Sequence, residues 1–239
     1  MKKGSFVVAA LFAAFVASNA SADFANVKYV GTGKGSNVKM TIGGTTKDVF
    51  AGQLKHQISG ATGDYAVLNG TKVTFCTDLL QYVSSSTTQY EFVPVSSVPM
   101  SAPMGADKAK AIQDMYNGAS GAQLASNVSD DFATAFQLAV WEVVTDYNKN
   151  VGVASVGLAS GQFKAKKTNG NALSSGVMNA FNTLIGYIGQ ASNNNVKIVG
   201  MANNHAQDQI VEGQTYVPAP GAAALASLGL LLAGKRRRK

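Results

Sequence analysis

Cysteine is almost missing from this 239-residue chain: Cys76 is the only one. A disulfide within the chain is therefore excluded. One Cys and two His without ligand spacing do not make a zinc site either, so no metal is expected. A cysteine hydrolase needs a histidine base, and His56 and His205 both stand in polar, turn-like contexts where exposure is the expectation. With no paired base, the chain reads as no enzyme, with no catalytic residues and no cofactor. The Gly-x-Gly of "GTGKGSN" leads from one strand into another rather than into a helix, so a phosphate cradle is not expected. The basic run "KAKK", 164–167, is most simply a solvated loop.

Arginine is missing too, except at Arg236, Arg237 and Arg238. The formal charge is +7, and Lys2, Lys3, Lys235, those three Arg and Lys239 supply it. The region between holds 13 Lys against 13 Asp and Glu. The basic balance belongs to the two ends, and nucleic-acid binding loses its main support.

Both ends carry targeting features. Lys2 and Lys3 precede the apolar run "FVVAALFAAFVA", too short to span a bilayer, and Ala20-Ser21-Ala22 has the small-x-small pattern of a signal-peptidase site. Residues 1–22 are thus expected to be a signal peptide, and the mature chain to begin near Asp23 in an oxidising compartment. At the other end, "VPAPGAAALASLGLLLAGKRRRK", 217–239, runs from a Pro-x-Pro turn through a short apolar segment into five basic residues. The apolar part is short of the roughly 20 residues of a full span, and its basic end would stay cytoplasmic. This tripartite tail resembles the PEP-CTERM sorting signal of bacteria that export surface and matrix proteins. The motif would be Val217, Pro218, Ala219 and Pro220, with Ala219 where the family usually has Glu. The resemblance implies transient anchoring in the inner membrane and removal of the tail by a protease of the exosortase type. A permanent C-terminal anchor is the alternative.

Residues 23–216 are long enough for one domain with a sizeable core. "NVKYVG", "NVKMTIGG", "TKDVFAGQL", "YAVLNG", "KVTFCTDLLQYV" and "TQYEFVPV" read as strands, with a hairpin about Gly43-Gly44. After Pro103 the period changes, and "GADKAKAIQDMYN", "SDDFATAFQLAVWEVVTDYN" and "NALSSGVMNAFNTLIGYIGQA" read as helices. "NVKIVGM" and "DQIVEG" return as strands. The order predicts an α+β fold with the helices segregated from the sheet.

The second helix is the informative one. Ser129 is its expected N-cap, with Asp130 and Asp131 in the first turn. Phe132, Phe136, Val140, Val143 and Tyr147 form an apolar stripe, and Gln137 lies one turn from Trp141, the single tryptophan, on a neighbouring stripe. Leaving a buried amide unpaired costs on the order of 1–3 kcal/mol, so Gln137 is either at the boundary or has a specific task.

"FCTD", 75–78, followed 61 residues after the cysteine by "FQLAVW", 136–141, resembles the thioester domain of bacterial surface proteins. The resemblance implies a β-sandwich or barrel-like set of strands with a helical subdomain. It also implies an internal thioester in which Cys76 is the thiol and Gln137 the acyl donor. Phe75, Asp78, Phe136, Ala139 and Trp141 would surround the bond. Phe136 stands where Gram-positive members often have Thr. In such a site a thiolate attacks the amide carbonyl and expels ammonia, donors stabilise the oxyanion, and an aromatic wall keeps water away. The expected partner is an amine on a surface protein or polysaccharide, bound covalently in adhesion or matrix cross-linking. The alternative is a non-covalent structural or glycan-binding matrix protein in which Cys76 is a buried free thiol.

Overall fold

The computed structural model describes residues 23–119, 128–192 and 196–215. The expected signal peptide, 1–22, and the tail with Val217, Pro218, Ala219 and Pro220 lie outside the described residues. The strands are β1 (Asp23–Ile42), β2 (Thr45–Ser59), β3 (Gly70–Cys76) and β4 (Thr88–Val93), then β5 (Phe163–Lys167), β6 (Val196–Ala202) and β7 (Gln209–Thr215). The helices are α1 (Gly105–Gly118), α2 (Asp130–Asp146) and α3 (Ser175–Ile185); α1 and α2 lie between β4 and β5, and α3 between β5 and β6. The fold is α+β, as expected.

The strand order is β2-β3-β7-β6-β4-β1-β5, and β1 also pairs with β2. Six antiparallel strands therefore close on themselves as a barrel, with β5 added along the outer part of β1. Closure leaves few unpaired edges. A single long strand makes it possible: the start of β1 pairs with β4 and its end with β5, while β2 follows it almost throughout. Register shifts between Tyr29 and Gly31, and between Thr32 and Gly35, bend β1 between these two duties. The "GTGKGSN" glycines lie in this bent strand. Gly35 and Gly52 face each other here with φ of 146° and 155°. A Cβ on either would come within 2.4 Å of the other strand's backbone, so only glycine fits both positions. The hairpin at Gly43-Gly44 is a two-residue turn with both φ positive.

Three expectations are corrected. "YAVLNG" is mostly a 3₁₀ turn, Gly63–Leu68, rather than a strand; Asn69 holds it shut by bonding Ala61 N, Ala61 O and Ala66 O. β3 stops at Cys76, so the "TDLLQYV" that follows is irregular chain. "KAKK" belongs to β5, not to a loop: Phe163 and Ala165 turn inward while the lysines face water.

α2 is the central helix. Every residue from 133 to 143 is buried, so the expected single apolar stripe becomes a helix enclosed by β1, β2, β3, β5 and the other two helices. Burying a side chain such as Phe136 contributes roughly 1.5–3 kcal/mol, and eleven consecutive buried positions make α2 the core of the larger apolar cluster. Its position along the barrel is pinned at both ends. Ser129 accepts from Phe132 N at 3.1 Å, Asp130 accepts from Gly35 N at 3.1 Å, and Thr134 meets Ser36 at 2.8 Å. At the other end Lys108 Nζ donates to the carbonyls of Val144 and Thr145, at 2.7 and 3.2 Å, where a cation suits the helix C-terminus.

Candidate functional site

Cys76 is the last residue of β3, and Gln137 lies mid-way along α2. The β2–β3 ladder ends two residues earlier, at Leu54 and Thr74. Beyond that point the Gln137 side chain takes the place of a strand. Its Oε1 accepts from Cys76 N at 2.9 Å, and its Nε2 donates to Cys76 O at 2.8 Å. Gln137 and Cys76 are 1 % and 2 % exposed, so the amide is fully enclosed rather than at a boundary. The paired resemblance named residues 61 apart in sequence, and the fold brings them into direct contact.

The remaining named residues surround this contact. Phe75 meets Phe136 edge-on at 4.7 Å between ring centroids, and Trp141 lies 6.0 Å from Phe163. Ala139 is fully buried in the same cluster. Burial pushes the Cys76 thiol well above its ordinary range, while the indole of Trp141, beside the sulfur, works against that rise. The thiol donates to Asp78 O at 2.8 Å. Asp78 is itself buried: Oδ1 accepts from Leu80 N and Gln81 N at 2.8 and 3.3 Å, and Oδ2 has no hydrogen-bond partner among the described residues.

Behind the cysteine runs a polar network that sequence reasoning missed. Gln207 Nε2 donates to the same Asp78 carbonyl at 3.2 Å, and Gln209 Nε2 donates to Gln207 Oε1 at 2.9 Å. Thr74 donates to Gln209 Oε1 at 3.2 Å and meets His56 Nδ1 at 2.8 Å. Since the Thr74 proton is committed to Gln209, His56 Nδ1 is the donor in that bond, which fixes the tautomer. The expectation that His56 is exposed is thereby corrected; it is buried, and burial lowers its pKa to about 4. The available signal was the alternation of "LKHQI", in which Leu54, His56 and Ile58 share one inward face. His205 is exposed as expected.

A cavity of about 300 Å³ gives access to the contact. Its lining runs from Tyr82, 74 % exposed, and Asp48 at the surface to Asp78, Trp141, Cys76 and Gln137 inside. Lys47 Nζ sits 5.9 Å from the Tyr82 ring centroid at this mouth. A larger cavity, about 420 Å³, lies on the far side of Phe75 and Phe136 and is lined by neither Cys76 nor Gln137. Among the described residues there is no cluster of His, Cys, Asp and Glu able to hold a metal ion, and no helix long and apolar enough to cross a membrane.

No known protein family matches the chain, and comparison with curated proteins and with solved structures found no match. The thioester reading rests on Cys76, Gln137 and their surroundings.

Proposed function

We propose that this is an exported cell-surface or extracellular-matrix protein whose domain forms a Cys76–Gln137 thioester and uses it to attach covalently to an amine on a partner protein or polysaccharide. In this reading the signal peptide directs export, the C-terminal tail holds the chain briefly in the inner membrane, and an exosortase-type protease removes that tail. The observation that carries the proposal is the two-point contact between the Gln137 amide and Cys76, buried yet reached by a cavity from the surface.

The geometry suits formation of the bond. Sulfur attacks Cδ of Gln137, and the charge that develops on Oε1 falls on an atom already accepting from Cys76 N–H. The C–N bond then breaks, and the thiol proton leaves with the nitrogen as ammonia. Desolvation opposes thiolate formation, so the reaction needs that proton to be passed on rather than a standing thiolate. Once formed, the bond is sheltered by Trp141 and Phe136, and it reacts once, with a nucleophile that enters past Tyr82.

The same two-point contact also favours a second reading. Gln137 could simply complete the hydrogen bonding of a strand end, with Cys76 as a buried free thiol in a non-covalent structural or glycan-binding protein. Incubating fresh protein with a small primary amine separates the two. The thioester yields an amide on the Gln137 side chain and a free Cys76 thiol, located by tryptic mapping; label on lysines only, or nowhere, supports the structural reading.

A further inference from the structure

Asp78 contributes to the site in two ways, through the backbone carbonyl that accepts from the Cys76 thiol and through its side chain. Its side chain is 2 % exposed, lines the cavity beside Cys76 and Gln137, and keeps one carboxylate oxygen, Oδ2, without a partner among the described residues. The other oxygen is fixed by Leu80 N and Gln81 N, so the group cannot swing to satisfy itself elsewhere. A buried carboxylate oxygen with no donor is costly; Oδ2 is itself closed to solvent behind the cavity wall that Asp78 helps to form, so a donor entering the cavity reaches it by displacing lining side chains. The nearest basic residue on the lining, Lys47, is engaged with the Tyr82 ring at the mouth.

We propose that Asp78 is the specificity and proton-accepting residue of this site, selecting a primary alkylammonium, such as a lysine side chain, as the nucleophile. This rests on the thioester reading. The ammonium fills the vacant acceptor position at Oδ2 and passes one proton to the carboxylate, becoming a neutral amine beside the acyl carbon of Gln137. Nitrogen bonds to that carbon and the C–S bond breaks. Of the two protons lost by the nitrogen in all, one ends on the Cys76 sulfur and one is released to solvent through Asp78. The product is a secondary amide and a free thiol. Hydroxyl groups of a glycan offer no positive charge to Oδ2, so the site favours lysine-bearing protein over unmodified polysaccharide.

The test uses the full-length chain and compares methylamine, charged at neutral pH, with hydroxylamine, which is not. Rates are read as the mass of adduct on Gln137 over time, against a small-molecule thioester in solution. The wild type should prefer methylamine by about a hundredfold more than the solution thioester does, the scale of a positioned proton acceptor. Asp78→Asn, which retains the Oδ1 contacts, should return the ratio to the solution value while still reacting with hydroxylamine. A wild-type ratio equal to that of the solution thioester overturns the proposal even if Asp78→Asn fails to fold. So does an Asp78→Asn variant with the wild-type ratio, or one slowed equally toward both nucleophiles. Failure of the thioester reading itself looks different: no adduct on Gln137 with either reagent.

Discussion

Alanine at Cys76, at Gln137 and at both positions isolates the covalent bond, because the hydrogen bonds of Gln137 go to the peptide groups of Cys76 and not to its sulfur. Cys76→Ala retains the Gln137 nitrogen and therefore has both of those bonds, whereas the thioester, having lost Nε2 as ammonia, has only the one from Cys76 N to Oε1. Gln137→Ala has neither and leaves a buried N–H and C=O without partners, a cost of about 2–6 kcal/mol for the pair relative to the free amide. A thioester adds a further term to each single variant. It closes a loop of about 60 residues, whose chain entropy corresponds to about 4 kcal/mol. Each single substitution loses that amount, but the double variant loses it only once. Cys76→Ala also regains the Nε2 bond that the thioester lacks, which offsets about 1–3 kcal/mol, so the two single effects should sum to about 1–3 kcal/mol more than the double effect. Without the bond the coupling should stay below about 1 kcal/mol, because the thiol donates to Asp78 and not to Gln137. Guanidinium unfolding of fresh protein measures all four stabilities. The cross-linked wild type should also show the smallest m-value, since its unfolded chain exposes less surface. Near-additive effects with equal m-values would refute the reasoning.

Two further predictions concern the scaffold. His56 is held neutral, with its pKa lowered to about 4. Its contribution is therefore complete above the unfolded value near 6.5 and is lost as pH falls toward 4, up to about 3 kcal/mol. The stability difference between wild type and His56→Gln, measured by denaturant titration, should shrink over that window; a difference independent of pH would contradict the buried neutral imidazole. Ser129→Ala removes the cap of α2 and should cost about 1 kcal/mol, seen as a lower melting temperature. An unchanged melting temperature would mean that the helix start is held by Asp130 and Thr134 alone.

Local features carried much of the architecture. The Gly43-Gly44 turn, the Ser129 cap and the period of α2 each depend on neighbours in sequence, and each stands where the residues indicate. Closure of the barrel depends on register between strands far apart, β3 with β7 and β4 with β6, which no local pattern encodes. β5 went unseen because its lysines masked a period-two pattern with Phe163 and Ala165 on one face. The 3₁₀ turn at Gly63–Leu68 has the apolar content of a strand but is closed by the side chain of Asn69, a contact that composition does not reveal. At the site, the lone thiol of Cys76 and the amide of Gln137, one turn from the single tryptophan, stood out singly, and their pairing rested on the resemblance of "FCTD" and "FQLAVW" to a thioester domain. Thr74 and Gln209 did not stand out, since uncharged polar residues on strands read as surface until the register turns them inward, and Gln207 joins them from the irregular chain just before β7.

The central claim is that Cys76 and Gln137 become joined, and intact-mass measurement of the freshly purified, folded domain at mild pH tests it most directly. The thioester predicts a mass lower than the sequence by one ammonia, and a Cys76 that resists thiol reagents even after unfolding. Cys76→Ala and Gln137→Ala should each restore the full mass, allowing for the substitution. Wild-type protein at full mass, with a thiol that titrates on denaturation, would contradict the account and leave Gln137 as the hydrogen-bonding cap of a strand end.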